Sequence, residues 1–289
     1  MSATDRNLDD LTETALQAQA GDSTALEHLC SELANPMYRL ALRYCGNPND
    51  AEDAAQEVMV RIVTGLGSFR GESRFTTWAY KVAVRQLLRS QKRRTERSIA
   101  GPESFTTYLD RFAGDPVPEG EATVAFQELA AEVRLSCTYG MLLCLGRPQR
   151  VAYLMGDLLG FTDVEAAEIA GISRAAHRKR VSRARTVMRE LMATRCGLVR
   201  SENPCRCAKL VEPSVEDGWT NPDQLIFARH DGVTLPLATD TLSQAAAELD
   251  IASAMAEVYH DTPAFRSPRS LWAELEGSMP TLLDHTKDP

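Results

Sequence analysis

The clearest pattern in the chain is helical. From Asp22 onward the apolar residues Ala25, Leu29, Leu33, Met37, Leu40 and Tyr44 recur at intervals of three and four. That spacing puts them on one face of a helix. Asp22 can accept from the free N–H groups of its first turn, so the helix is predicted from there to about Cys45. Asn47-Pro48 interrupts it. Asn49 is then a predicted cap, with Glu52 three residues on to reach back, and the second helix ends at Gly65-Leu66-Gly67. A polar loop, Ser68 to Ser73, leads into a basic helix predicted from about Arg74 to Arg97, with Phe75, Trp78, Ala79 and Val82 as its buried stripe. Residues 98–122 carry Gly101, Pro102, Gly114, Pro116, Pro118 and Gly120 without a period and read as a linker. Helical periodicity returns from about Thr123 to Ala193, and Pro148 sits where a helix can begin.

Within that block Thr162-Asp163-Val164-Glu165 is a capping box, Gly171 is a stop, and Ser173 caps a longer helix to Met192. From Cys196 the texture changes. Residues 197–238 are loop-rich, with Pro204, Pro213, Pro222 and Pro236. Thr241 to Tyr259 reads as an amphipathic helix through Leu242, Ala245, Ala246, Leu249 and Ala252, and Pro268 to Leu283 as a weaker one. No strand-rich segment and no repeat stands out. The expected fold is all-α. Two helical domains, 10–97 and 123–195, are joined by the linker 98–122 and followed by a small, mostly helical C-terminal domain, 196–289.

Composition sharpens this. Hydrophobic residues make up 44% of 289, enough to bury real cores. Met141 to Leu145 is typical of the longest apolar runs, far short of a membrane span, and the acidic start MSATDRNLDD lacks a signal-peptide pattern. The expectation is a cytoplasmic protein without membrane insertion, its seven cysteines reduced unless they bind metal or sense oxidants. The net charge of −8 argues against a nucleic-acid binder, but its distribution reverses that argument. Residues 61–97 carry a net +8, residues 174–195 a net +7, and residues 208–289 a net −9. Two basic blocks fit a chain that meets DNA in two places.

The second block has a mechanism. DVEAAEIAGISRAAHRKRVSRAR, residues 163–185, spells a short helix, a turn at Gly171-Ile172 and a longer basic helix, which is a helix-turn-helix. The second helix of such a unit lies in the major groove, its first residues at base edges and the rest at phosphates. Arg174, Arg178 and Arg185 share one face, with Lys179 and Arg183 in a neighbouring row. His177, Val181, Ala184 and Met188 form the inward face, so His177 is read as a packing residue. The plainer alternative is a solvated basic helix, which the supporting helix and turn disfavour.

Cys196, Cys205 and Cys207 place three thiols within twelve residues. Together with a fourth ligand from elsewhere they form a candidate zinc site. His230 is the nearest downstream histidine, though no spacing selects it. The pattern is not a strong zinc spacing, and three reduced cysteines is the reading it favours. Cys137 and Cys144 are read as packing residues.

Two stretches together resemble a known family. Residues 50–94, DAEDAAQEVMVRIVTGLGSFRGESRFTTWAYKVAVRQLLRSQKRR, resemble region two of the extracytoplasmic-function (ECF) sigma factors of bacterial RNA polymerase. Residues 149–191 resemble region four, with Gly171-Ile172-Ser173 and Ser182-Arg183-Ala184-Arg185 at the family's spacing. The tail beginning CGLVRSENPCRC resembles a sub-branch with a C-terminal extension. The sequence departs from the family where Ala176-His177 replaces a common Thr-Val.

The resemblance implies a dissociable polymerase subunit that selects promoters and helps melt them, with no catalytic residues and no required cofactor. Its implied partners are core RNA polymerase, promoter DNA and, in some members, an anti-sigma factor. Asp50, Glu52, Asp53, Gln56 and Glu57 would meet the clamp helices of the beta-prime subunit. Phe69, Arg70, Arg74, Trp78, Lys81 and Arg85 would supply the cations and aromatic surface that hold an opened −10 strand. Trp78 equally fits a core position. Arg174, Arg178, Lys179, Arg180, Arg183 and Arg185 would read the −35 duplex. Two other classes compete. A stand-alone helix-turn-helix regulator leaves the acidic helix 50–64 and the loop 68–73 without a role. A fused metal- or ligand-dependent enzyme lacks paired carboxylates with a histidine, a phosphate loop or a nucleophile motif in 196–289. The acidic tail beyond Ala208 is expected to act as a folded brake on DNA binding by the basic block before it.

Overall fold

The computed structural model describes residues 11–99, 101–115, 123–231, 233, 255, 258–260 and 262–267. Every regular element among them is helical, apart from an isolated bridge between Cys196 and Cys205. The chain opens with α1 (Thr12–Gln19), a short helix the periodicity did not suggest. The long helix α2 (Ser23–Cys45) follows, its first turn capped by the Asp22 carboxylate through Thr24 and Ala25 N–H. Gly46, at φ 73, reverses the chain into α3 (Pro48–Gly65). The cap of α3 is Asn47, not Asn49, because Pro48 at the first helical position lacks the N–H that would need a partner.

The basic helix is shorter than its charge suggests. It runs as α4 (Phe75–Arg89), breaks at residues 90–93, and resumes as α5 (Arg94–Ser98). The run Ser90-Gln91-Lys92-Arg93 carries no apolar residue to extend the buried stripe, and Ser90 leaves helical geometry at ψ 151. The expected linker also holds a helix, α6 (Pro102–Arg111), whose Leu109 packs with Val133, Leu210 and Val211.

The second half contains α7 (Val124–Leu143), α8 (Arg147–Tyr153), a π-helical turn (Leu154–Leu158), α9 (Asp163–Ala170) and α10 (Arg174–Met192). The capping box on α9 forms as the sequence predicts, Gly171 ends it at φ 64, and Ser173 caps α10. Beyond Cys196 a 3-10 turn (Cys207–Leu210) leads into α11 (Val211–Glu216). Most of the helix predicted over Thr241–Tyr259, and all of that over Pro268–Leu283, lies outside the described residues. No single described helix is long and apolar enough to cross a membrane.

One core runs through both halves. Buried residues from α1–α4 are continuous with those of α7–α10 and with Phe227, Met255, Val258, Tyr259 and Phe265 from the C-terminal part. The halves are also joined by a buried ionic network. Glu96 accepts from Arg147 Nε at 3.0 Å and from Arg150 Nη2 at 3.2 Å. Arg150, 1% exposed, also donates to the carbonyls of Tyr44 at 2.7 Å, Leu142 at 3.0 Å and Leu145 at 3.0 Å. A carbonyl cage of this kind is what makes a buried guanidinium tolerable. Burial works against the Glu96 charge, but the two arginines outweigh it and hold its carboxyl below the usual range.

Candidate nucleic-acid and polymerase interface

Helices α9 and α10 build a helix-turn-helix. His177, Val181, Ala184 and Met188 are buried along the inner face of α10, which turns the basic face outward. His177 is 1% exposed, as its packing role predicts, and its Nδ1 lies 3.5 Å from a carboxylate oxygen of Asp163. Arg174, Arg178, Lys179 and Arg183 are exposed and Arg180 is half-exposed. None of these five makes an ion pair or side-chain hydrogen bond with a described residue. Arg185 is different. It holds Asp157 through two bonds, 2.8 and 2.7 Å, and so ties α10 to the π-helical turn.

The −10 candidates divide in two. Phe69 is 3% exposed, packed edge-on to Phe75 at 5.2 Å and against Trp78 at 5.7 Å, so it supports the site from beneath. Trp78 is half-buried and stacks on Phe75 at 5.5 Å, a core contact that leaves part of the side chain exposed. Arg70 and Arg85 are exposed. Arg74 and Lys81 point at α9, where Arg74 pairs with Glu165 and Lys81 lies 4.0 Å from Glu168. Tyr80 packs edge-on against Phe161 on the same seam, centroids 5.0 Å apart. Sequence reasoning read the carboxylates of α9 only as capping groups and missed this contact, because nothing local pairs residues so far apart.

On α3, Asp53 and Glu57 are exposed and bridged by Arg93, at 2.9 and 3.3 Å, while Gln86 donates to Glu57 at 3.1 Å. Glu52 and Asp50 are half-buried. Burial pushes the Glu52 carboxyl up, an effect opposed by the neighbouring His230.

For Cys196, Cys205 and Cys207 the sequence favours three reduced thiols over a zinc site. Among the described residues no group of three or more His, Cys, Asp or Glu side chains is placed to hold a metal ion. The reason is local. Gly197 N–H donates to Cys205 O at 3.2 Å and Cys205 N–H to Arg195 O at 3.1 Å. The Asn203 side-chain amide is fixed on the carbonyls of Ala193 and Cys196. This knot commits Cys196, Cys205 and Cys207 to the seam against α7, beside Cys137. Burial pushes all four thiols up, Cys205 to about 12, which suits protonated packing residues.

A helical frame carrying a helix-turn-helix and a second basic helix with a half-buried tryptophan presents two basic faces of the kind that meet nucleic acid. Comparison with known proteins makes this specific. Residues 29–97 match the family model Sigma-70 region 2. The chain is 30% identical over 185 residues to the ECF RNA polymerase sigma-E factor of Haemophilus influenzae, which covers 62% of this chain and 94% of that protein. It is 27% identical over 179 residues to the ECF RNA polymerase sigma factor SigW of Bacillus subtilis, covering 60% of this chain and 92% of that one. With SigE of Mycolicibacterium smegmatis it shares 29% over 191 residues, 64% of this chain and 69% of that one.

The chain belongs to the ECF sigma factors of RNA polymerase. It is a non-enzymatic initiation factor that directs the polymerase to promoters, with core polymerase and promoter DNA as its partners and no cofactor required.

Proposed function

We propose a division of labour within this sigma factor. Helix α10 reads the −35 element in the major groove. Helix α4, with the loop before it, holds the −10 strand, and the acidic face of α3 docks on the beta-prime clamp helices. The domains follow the same division, 10–97 for the polymerase and −10 contacts and 123–195 for the −35 contact.

The observation that carries the reading is the state of the cations on α10. Six of them, Arg174, Arg178, Lys179, Arg180, Arg183 and Arg189, are left without an anionic partner among the described residues, while Arg185 is tied down by Asp157. Surface cations in a row with no protein ion pair to break can neutralise phosphates and release their counterions, and one near the helix start can reach a base edge. Trp78 supports the −10 assignment as a half-buried aromatic on the helix that also carries the exposed Arg85.

Transcription from a promoter library randomised in both elements tests the assignment. With core polymerase, Arg178→Ala is expected to relax preference at one or two −35 base pairs, by about 1–3 kcal/mol each, and to leave the −10 preference intact. Uniform weakening at every sequence would make Arg178 a phosphate contact only.

A further inference from the structure

The −10 and −35 elements are, by their names, about 25 base pairs apart, on the order of 85 Å at roughly 3.4 Å per base pair. Here the two helices assigned to them are close neighbours. Helix α4 meets α9 through Arg74–Glu165, Lys81–Glu168 and Tyr80–Phe161, and α10 follows α9 directly after the turn at Gly171. An eight-residue helix such as α9 is only about 12 Å long. This arrangement cannot engage both elements at once. It also puts the carboxylates of Glu165 and Glu168 where strand phosphates would approach Arg74 and Lys81.

The C-terminal part of the chain fastens the arrangement. Beside α7, the Glu132 carboxylate accepts from the N–H groups of Ile226, Phe227 and Ala228 at 3.0, 2.9 and 2.7 Å. The chain then crosses to α2. There His230 Nε2 lies 2.6 Å from Tyr38 Oη, with the two rings stacked at 5.4 Å. Ser267 N–H donates to Asn35 Oδ1 of the same helix at 2.8 Å. Phe265, fully buried, touches His230 at 5.3 Å and Tyr139 of α7 at 5.8 Å. These two stretches therefore grip α2 of the first half and α7 of the second, and His230 stands beside Glu52 at the edge of the acidic face of α3.

We propose that residues 226–231 and 262–267 form an intramolecular clasp that holds the two promoter-reading halves closed, with the α9 carboxylates paired to Arg74 and Lys81 until the clasp is displaced. This rests on the division of labour proposed above. It also relocates the brake expected from the acidic tail. The described part of the tail grips α2 and α7, and makes no ion pair with the exposed cations of α10.

The test uses the full chain. His230→Ala with Phe265→Ala opens the clasp. Glu165→Gln with Glu168→Gln removes the covering charge, and glutamine can still complete the capping box on α9. The radius of gyration by solution scattering reports opening. Binding of a randomised single-stranded DNA 20-mer reports access to α4. The clasp variant is expected to expand and to bind the 20-mer about tenfold more tightly. The carboxamide pair is expected to bind it about fivefold more tightly, from two exposed ion pairs. Adding Lys81→Ala is expected to cancel both gains. An unchanged radius with unchanged DNA affinity overturns the proposal. If the clasp variant unfolds, the carboxamide pair decides alone, and wild-type affinity there overturns it. Expansion of a clasp variant that fails to support initiation with core polymerase would uphold the clasp and count against the promoter assignments, so the two failures are distinct.

Discussion

Replacing Glu96 by glutamine strands two guanidinium groups at the junction of the two halves. The carboxylate is 8% exposed and sits between Arg147 and Arg150, with Arg147 Nη2 at 2.6 Å. Removing one member of a buried pair costs about 3–5 kcal/mol, because the remaining charge stays buried without compensation. Arg150 would keep its bonds to the carbonyls of Tyr44, Leu142, Leu143 and Leu145, so the lower end applies, about 3 kcal/mol. Urea unfolding followed by circular dichroism measures it. With a slope of about 3 kcal/mol per molar, the midpoint should fall by about 1 M at pH 7.

The pH dependence checks the cause. Glu96 is held below the usual carboxylate range in the fold, so its contribution is fully present above the unfolded value and is lost as pH falls through the lowered folded value. The two proteins should therefore converge in acid. A midpoint shift under about 0.2 M at pH 7, or a gap that does not change with pH, would refute the claim that a buried ionic network joins the halves.

Other substitutions separate contacts to DNA from contacts within the fold. Arg185→Ala should cost about 0.5–1 kcal/mol in thermal or urea unfolding and leave −35 selectivity unchanged, because its guanidinium is held by Asp157 and is half-exposed. Lys81→Ala and Arg85→Ala should slow promoter opening, read by permanganate reactivity of unpaired thymines, and leave −35 preference alone. An equal loss of −35 discrimination would reassign them.

Legibility of the structure in the sequence followed the range of the interactions. The caps at Asp22, Thr162 and Ser173 and the stop at Gly171 were readable because each is set by residues within one turn. The inward stripe of α10, His177 included, was readable from spacing alone. Helix α6 was not, because its flanking glycines and prolines read as linker and its packing partners Val133, Leu210 and Val211 lie far along the chain. The extent of the basic helix was overestimated for the opposite reason, since charge continued past Arg89 where the apolar stripe stopped. The basic site residues were found by charge and period. What covers or fastens them was not, since Tyr38 and His230 are 192 residues apart and Arg74 and Glu165 are 91 apart. The three C-terminal cysteines are close in sequence and lie along one packed seam, where the described residues form no metal-holding group.

The measurement that bears most directly on the whole account is in vitro transcription from fragmented genomic DNA, with core RNA polymerase and with or without this protein. Adding the protein is expected to yield transcripts with discrete 5′ ends, and the DNA upstream of them to share two sequence blocks at the −10 and −35 positions. Tight, sequence-specific DNA binding by the protein alone, with no new transcripts in the presence of core polymerase, would contradict it.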